Sequence, residues 1–268
     1  LYTTTYGIGE QIKMAKTLGK KHIYLGLGGS STNDGGAGML VALGAKFYDE
    51  SGASFTPTGA TLGKIKTMDI TELQNNISGM QFTALCDVTN PLLGENGCSR
   101  VFAKQKGATD KDIETLEENM KKYAEITSCL GVDSNFSGSG SAGGMGYAVK
   151  AFLCGDIQSG IDFFLDSIDY TNVARDCDYI FTGEGKFDHT SIMGKVIAGI
   201  MRRSKDLNAK LVVFCGKNTL DYVPSPIYKV IQISDDNLCL VENIKTAKQR
   251  LAKSVSTFLS EEKTRIND

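Results

Sequence analysis

The residues able to do chemistry gather in a few short stretches. The first is Gly28 to Gly36, where Ser30, Ser31, Thr32, Asn33 and Asp34 stand between two glycine pairs. Apolar Ile23, Tyr24 and Leu25 precede it, and an Ala/Met/Leu-rich run follows. A strand feeding a glycine-rich turn into a helix N-terminus is an anion site, because the first backbone N–H groups have no intrahelical partner. Ser, Thr, Asn and Asp are also what helix N-caps favour, so capping and ligand binding are both open readings of this loop. Asp87 and Asn90 lie just past a second strand-like run, Phe82 to Leu85. Carboxylate and amide groups meet ligands at such strand ends, and they are equally ordinary turn residues before Pro91. Arg100, Lys104 and Lys106 form a basic cluster, either a solvated face or a means of neutralising an anion. The last stretch, Gly183-Glu184-Gly185-Lys186-Phe187-Asp188, sets two carboxylates beside a lysine between glycines. That chemistry suits a metal–phosphate site or an acid/base pair, and also a surface salt-bridge turn.

The surrounding pattern is that of an α/β protein. Ile8, Ile12, Ala15 and Leu18 recur at helical spacing and Gly19 closes the segment. Lys46 to Tyr48 reads as a short strand, while Pro57 to Gly79 is mixed, with Met68, Ile70 and Leu73 as its expected buried positions. Thr109 and Asp112 predict a capping box ahead of a helix that buries Ile113, Leu116, Met120 and Tyr123. Beyond Asp178, strands at Tyr179–Thr182, Leu211–Cys215 and Val230–Ile233 alternate with helices, the last carrying Ile244, Ala247, Leu251, Val255 and Phe258. Such alternation predicts a parallel sheet with ligands beyond its carboxyl ends, where Glu184, Lys186 and Asp188 are expected in a loop.

Composition narrows the function classes. Among 268 residues, 29 are basic and 31 acidic, a net charge of −2 that provides no electrostatic footprint for nucleic acid or an anionic membrane. No apolar run approaches the roughly 20 residues that span a bilayer. Seven scattered cysteines without CxxC spacing read as reduced, mostly buried thiols of a cytoplasmic protein. The only histidines, His22 and His189, argue against a His-rich metal site. Gly138, Gly140 and Gly143 satisfy GxGxxG by letter, but no convincing strand precedes them and no acidic residue follows at the right distance, so an NAD-dependent dehydrogenase is the weakest reading. The helix expected over Met145–Leu153 opens on this loop and offers a second anion-facing N-terminus. No Gly-Lys pair, Gly216-Lys217 included, sits in a Walker A frame.

GGSSTNDGGAGMLVALGA (Gly28–Ala45), CDVTNPLLGENG (Cys86–Gly97), QKGAT (Gln105–Thr109), SAGGMGYA (Ser141–Ala148) and TGEGKFD with IMGK (Thr182–Lys195) together resemble the type I glycerate kinases, in that family's order and spacing. The resemblance implies transfer of a phosphoryl group from ATP to D-glycerate with Mg²⁺, giving 2-phosphoglycerate. It implies two α/β domains with the active site in the cleft between them. These are a mixed α/β domain over 1–160 and the C-terminal part of a Rossmann-like domain with a parallel sheet, incomplete here, over 161–268. At the family motifs, Asp188 is the expected base, Glu184 a second base or Mg²⁺ ligand, and Lys195 or Lys106 the neutraliser of transferring phosphate. Ser30, Ser31, Asn33 and Asp34 are expected to present donors to glycerate or phosphate, and Asp87 and Asn90 to orient substrate or metal. A small-molecule substrate is the expected partner, with no nucleic acid or membrane, and a homo-oligomer is left open. Three departures stand out. His189 and Thr190 follow Asp188 where the family has Gln two places on. Ala103-Lys104 replaces Gly-Pro. The chain also starts downstream of the family's N-terminal Asp-Ser-Phe-Lys and Asp-Gly-Gly-Glu-Gly loops, so it is expected to be a fragment or a truncated product. The rival expectation is a catalytically inactive anion- or nucleotide-binding module.

Overall fold

The computed structural model describes residues 1–192 and 196–267. The chain divides into two compact units, Leu1–Gly160 and Ile161–Asp268. The first contains α1 (Tyr6–Thr17), β1 (His22–Gly26), α2 (Ala37–Ala42), β2 (Lys46–Tyr48), β3 (Ser54–Phe55), β4 (Thr67–Asp69), α3 (Thr71–Ile77) and β5 (Gln81–Leu85). It continues with α4 (Cys98–Phe102), α5 (Asp110–Thr127), α6 (Ser141–Phe152) and β6 (Asp156–Gln158). The second contains α7 (Gly160–Ser167), α8 (Tyr170–Ala174), β7 (Tyr179–Phe187), α9 (Val196–Ser204), β8 (Lys210–Asn218), β9 (Ile227–Gln232) and α10 (Leu240–Asn267).

In the first unit β1, β5 and β6 form a parallel sheet in that order, with Ile23 opposite Phe82 and Ala84 opposite Ile157. A separate antiparallel sheet, β3-β2-β4, lies between β1 and β5 in the chain. One core joins Ile12 of α1, Met39 and Leu40 of α2, Phe47, Leu73, Phe82, Tyr123 and Tyr147. Met68 and Ile70 pack against it only partly buried. The predicted capping box is present: the Thr109 hydroxyl accepts from the Asp112 N–H while the Asp112 carboxylate accepts from the Thr109 N–H. A Cys thiol deep in this core, Cys98, is pushed up to about 12 by burial. The expectation of mostly buried thiols is corrected, since Cys129, Cys154, Cys177 and Cys239 are exposed and only Cys98 and Cys215 are buried. These thiols lie at helix ends and in turns, outside the apolar periodicity that selects core positions.

The second unit is a parallel sheet in the order β7-β8-β9. Its central strand is apolar on both faces, the signature of a sheet covered on both sides. Leu211, Val213 and Cys215 pack with Ile197 of α9, and Val212 and Phe214 with Phe258 of α10. Strand β7 is longer than its sequence suggests. Pairs Gly183↔Phe214, Glu184↔Cys215 and Lys186↔Lys217 carry the ladder through the two glycines to buried Phe187. The segment expected to be a loop is therefore strand as far as Phe187, because backbone pairing to β8 outweighs the poor strand propensity of glycine. Among the described residues no helix is long and apolar enough to cross a membrane.

Candidate functional site

In the first unit the carboxyl ends of β1 and β5 release the loops Leu27–Gly36 and Cys86–Asn90 side by side, joined where the Leu27 N–H donates to the Leu85 carbonyl (3.0 Å). The first loop does not run straight into a helix. Gly35 and Gly36 both have positive φ, and α2 begins only at Ala37. The anion at this helix N-terminus is the protein's own. Fully buried Asp34 accepts from the Thr5 N–H (2.7 Å) and hydroxyl (2.9 Å), from the Gly36 N–H (3.2 Å) and from the Gly38 N–H (3.3 Å). Burial nevertheless raises the Asp34 pKa above its ordinary value, against the lowering effect of those bonds. These bonds tie the Asp34 carboxylate to Thr5 and to the residues that open α2.

Its neighbour Asn33 is placed differently. Asn33 is 6% exposed, its amide N–H donates to Ser99 Oγ (3.1 Å), and its Oδ1 is buried without a hydrogen-bond partner. Asn33 and Ser31 line a cleft of about 320 Å³ together with Thr3, Lys106 and Asp112. The Lys106 ammonium donates to the Thr32 carbonyl (2.7 Å), and desolvation lowers its pKa below the usual lysine value. Lys106 also lines a smaller cavity of about 160 Å³ with Gly28, Gly29, Ser30 and Gln105. The Ser30 hydroxyl shares a 2.7 Å bond with Thr32 Oγ1. A partly dehydrated cation thus stands beside hydroxyls and an unpaired acceptor.

The rest of the basic cluster is engaged elsewhere. Arg100 forms a two-pronged pair with Glu114 (2.9 and 3.1 Å), and Lys104 pairs with Asp110. Exposed Asp87 accepts from Ser159 Oγ (3.3 Å). Asn90 braces the loops, its side chain donating to the Asn96 carbonyl (2.9 Å) and its own carbonyl accepting from the Gly140 N–H (3.0 Å). Residues Ala142, Gly143 and Gly144 have positive φ, so the regular part of α6 opens at Met145, as the sequence predicts.

In the second unit Glu184 and Lys186 sit at the carboxyl end of β7, with Asp188 just beyond it. Asp188 accepts from the Thr190 N–H (2.9 Å), the Thr190 hydroxyl (2.7 Å) and the Lys186 ammonium (3.0 Å). The Thr190 hydroxyl, then the Lys186 ammonium, hold its carboxyl far below the usual carboxylate range. Thr190, one of the departures noted above, is therefore what holds Asp188. Glu184 Oε1 is buried with no hydrogen-bond partner. No group of three or more His, Cys, Asp or Glu side chains that could hold a metal ion occurs among the described residues. Mg²⁺ needs less, since it is commonly held by one or two carboxylates plus substrate phosphate, and the unpaired Glu184 oxygen fits that demand. Lys195 lies outside the described residues. Sequence reasoning singled out neither Ser99, which bonds Asn33, nor the placement of Lys217 opposite Lys186. Lys217 had a signal, a Gly-Lys pair directly after an apolar strand, which a search for a P-loop alone discards.

Comparison with known proteins agrees with these motifs. The Glycerate kinase family model matches residues 1–261. A glycerate kinase of Bacillus cereus is 40% identical over 94% of this chain and 67% of its own length. Glycerate 2-kinase of Escherichia coli K12 is 41% identical over 82% of this chain and 58% of its own. A crystal structure assigned to glycerate kinase 2 of Salmonella typhimurium LT2 superposes with a TM-score of 0.79 at 35% identity, covering 98% of this chain and 70% of that one. The chain therefore spans between about three fifths and two thirds of the length of these curated relatives. The chain belongs to the glycerate kinase family.

Proposed function

We propose that this protein takes part in ATP-dependent phosphorylation of D-glycerate to 2-phosphoglycerate. The glycerate hydroxyl oxygen attacks the γ-phosphorus, ADP leaves, and the hydroxyl proton passes to solvent or to a carboxylate. Family membership supports the reaction class, and the observation that carries the substrate reading is the cleft around Asn33. A hydroxy acid presents an anion and hydroxyl donors, and the cleft offers the Lys106 ammonium and the unpaired Asn33 Oδ1. Glycerate would give the buried Asn33 Oδ1 the partner it lacks, which is worth more than the net gain of an ordinary hydrogen bond.

In this reading Ser30 and Ser31 add hydroxyl donors, and Asp87 and Asn90 hold the neighbouring loop that faces substrate. Asp34 supports the site from below through its bonds to Thr5 and α2. Glu184 would hold Mg²⁺, which supplies neutralisation of charge on the transferring phosphoryl group. Lys195 has the same task from the protein side. Phosphoryl transfer asks for positioning and charge neutralisation more than for strong bases. Asp188 suits that demand: held ionised by Thr190 and Lys186, it is a poor proton acceptor near neutral pH and a good fixed charge for orienting a hydroxyl or a metal-bound group. ATP and D-glycerate are the substrates, and the cytoplasm is the setting. The test is ADP release coupled to NADH oxidation, with D-glycerate and Mg²⁺. Glycerate-dependent turnover that falls at least 100-fold in Asp188→Asn supports the reading. Turnover within a few-fold of wild type removes Asp188 from the machinery, and none in a folded wild-type protein favours an inactive binding module.

A further inference from the structure

A cavity of about 800 Å³ in the second unit is not where the hydroxy acid is placed. It opens beyond the carboxyl ends of β7, β8 and β9, where parallel sheets bind ligands. Its two ends differ in chemistry. At one end stand Glu184, Lys186 and Lys217, the two lysines opposite one another in the β7–β8 register. At the other, Leu238, Leu240, Ile244 and Ala247 form an apolar wall on α10 and the turn before it. Leu240 is 75% and Ile244 65% exposed, an unusual cost for a helix face that covers nothing.

The charges are arranged in pairs. Lys217 bonds Asp236 (2.6 Å), Arg250 reaches Asp235 (3.5 Å) and Lys186 bonds Asp188 (3.0 Å). Gln232 also donates to Asp236 (3.1 Å), which fixes that carboxylate against Lys217. Against this ordered rim the buried, unpaired Glu184 Oε1 stands out. Three cations and three carboxylates on the lining, Glu184, Asp235 and Asp236 against Lys186, Lys217 and Arg250, make a near-neutral site. Such a site offers a bare polyanion no net attraction and suits one that carries its own divalent cation.

We propose that this cavity takes the nucleotide, with the purine on the Leu238–Ala247 wall and the metal-bearing phosphates toward Glu184, Lys186 and Lys217. The assignment rests on the kinase reading above and locates the phosphoryl donor within it. A volume of about 800 Å³ lies in the range of small-molecule sites, which are mostly apolar with a few convergent polar groups. A three-carbon hydroxy acid has no part that would cover four aliphatic side chains, whereas a planar base does. Glu184 provides the oxygen that a phosphate-bound Mg²⁺ requires, without any neighbour having to give up a bond.

The test is binding of the fluorescent nucleotide MANT-ADP with Mg²⁺ to this chain, in wild type, Ala247→Trp and Ile244→Asp. Ala247→Trp fills the wall, and Ile244→Asp places a charge on it at an exposed position that the fold tolerates. Both are expected to weaken MANT-ADP at least 10-fold with unchanged unfolding midpoints and unchanged binding of D-glycerate. Equal affinity in all three proteins, or no binding to folded wild type at millimolar concentration, overturns the assignment. The two readings fail separately. Nucleotide binding that responds to both variants without glycerate phosphorylation removes the substrate and leaves the pocket. Glycerate phosphorylation with the same KM for ATP in Ile244→Asp removes the pocket and leaves the kinase.

Discussion

Replacing Asp34 tests whether the most acidic-looking member of the glycine-rich loop is a ligand group or a structural one. In Asp34→Ala the Thr5 N–H and hydroxyl lose acceptors at 2.7 and 2.9 Å, and the α2 N-terminus loses two longer bonds at 3.2 and 3.3 Å. A hydrogen bond to a charged group is worth about 1.5–3 kcal/mol, and a buried donor left unpaired costs about 1–3 kcal/mol. Desolvation of the carboxylate outweighs its hydrogen bonds, so the loss comes from the orphaned N–H and hydroxyl donors, and about 2–4 kcal/mol is expected. Asp34→Asn keeps an acceptor where Oδ2 serves Thr5 and Gly38 and gives up only the bond to Gly36, so about 1–2 kcal/mol is expected. The pH dependence has a definite sign. Because the folded-state pKa of Asp34 is raised above 3.8, its contribution is full below that value and is lost as pH rises through the folded pKa. The gap between wild type and Asp34→Asn should therefore narrow as pH rises. Urea unfolding followed by far-UV circular dichroism measures all three, since the chain has no tryptophan. An Asp34→Ala loss below 1 kcal/mol would refute the reasoning. So would an Asn variant of wild-type stability that no longer binds glycerate, which would make the carboxylate a ligand group.

Three further outcomes are expected. Asn33→Leu should fold, since it replaces an amide whose Oδ1 has no partner, and should raise KM for D-glycerate about 10-fold, the value of one hydrogen bond of about 1.4 kcal/mol. Calorimetric titration of D-glycerate between pH 7 and 10 should show affinity falling at a lower pH than an ordinary lysine allows, because the desolvated Lys106 sheds its proton early; Lys106→Met should bind weakly and without that dependence. Gly143→Ala should destabilise the first unit by about 3 kcal/mol or more in calorimetry, combining the cost of positive φ for an L-residue with a Cβ driven into the Thr32 carbonyl.

Much of the fold was legible because it rests on local patterns. The capping box at Thr109, the apolar stripe of α5 and the two-sided apolar run of β8 each reflect a period that sequence displays directly. What local pattern does not display has a different origin. The extension of β7 to Phe187 depends on its pairing with β8, about thirty residues away, which the glycines at 183 and 185 conceal. The division of labour between Asn33 and Asp34 is also non-local. Thr5, contributed by the turn ahead of α1, claims Asp34, whereas Asn33 bonds only Ser99 and keeps a free oxygen. Neighbouring polar letters thus take opposite roles according to which distant residue reaches them first. Lys217 went unread for the same reason, since its relation to Lys186 exists only in the register of two strands.

The glycines of the second small-residue loop follow the same logic. Gly138, Gly140 and Gly143 spell a dinucleotide fingerprint, where glycine lets a pyrophosphate approach the backbone. Here the approaching groups belong to the protein. A Cβ on Gly140 would strike the Pro91 carbonyl, and one on Gly143 the Thr32 carbonyl. The Gly35 N–H donates to the Gly143 carbonyl (3.0 Å), and the Asn90 carbonyl accepts from the Gly140 N–H (3.0 Å). The loop therefore serves as the surface on which the Ser30–Asp34 and Cys86–Asn90 loops rest. Close backbone packing of this kind fixes Asn33 without a ligand bound, and a preformed acceptor costs less ordering on binding than a mobile one. Phosphoryl transfer draws on such positioning, which accounts for glycine-rich segments at places where the sequence has no Walker A frame.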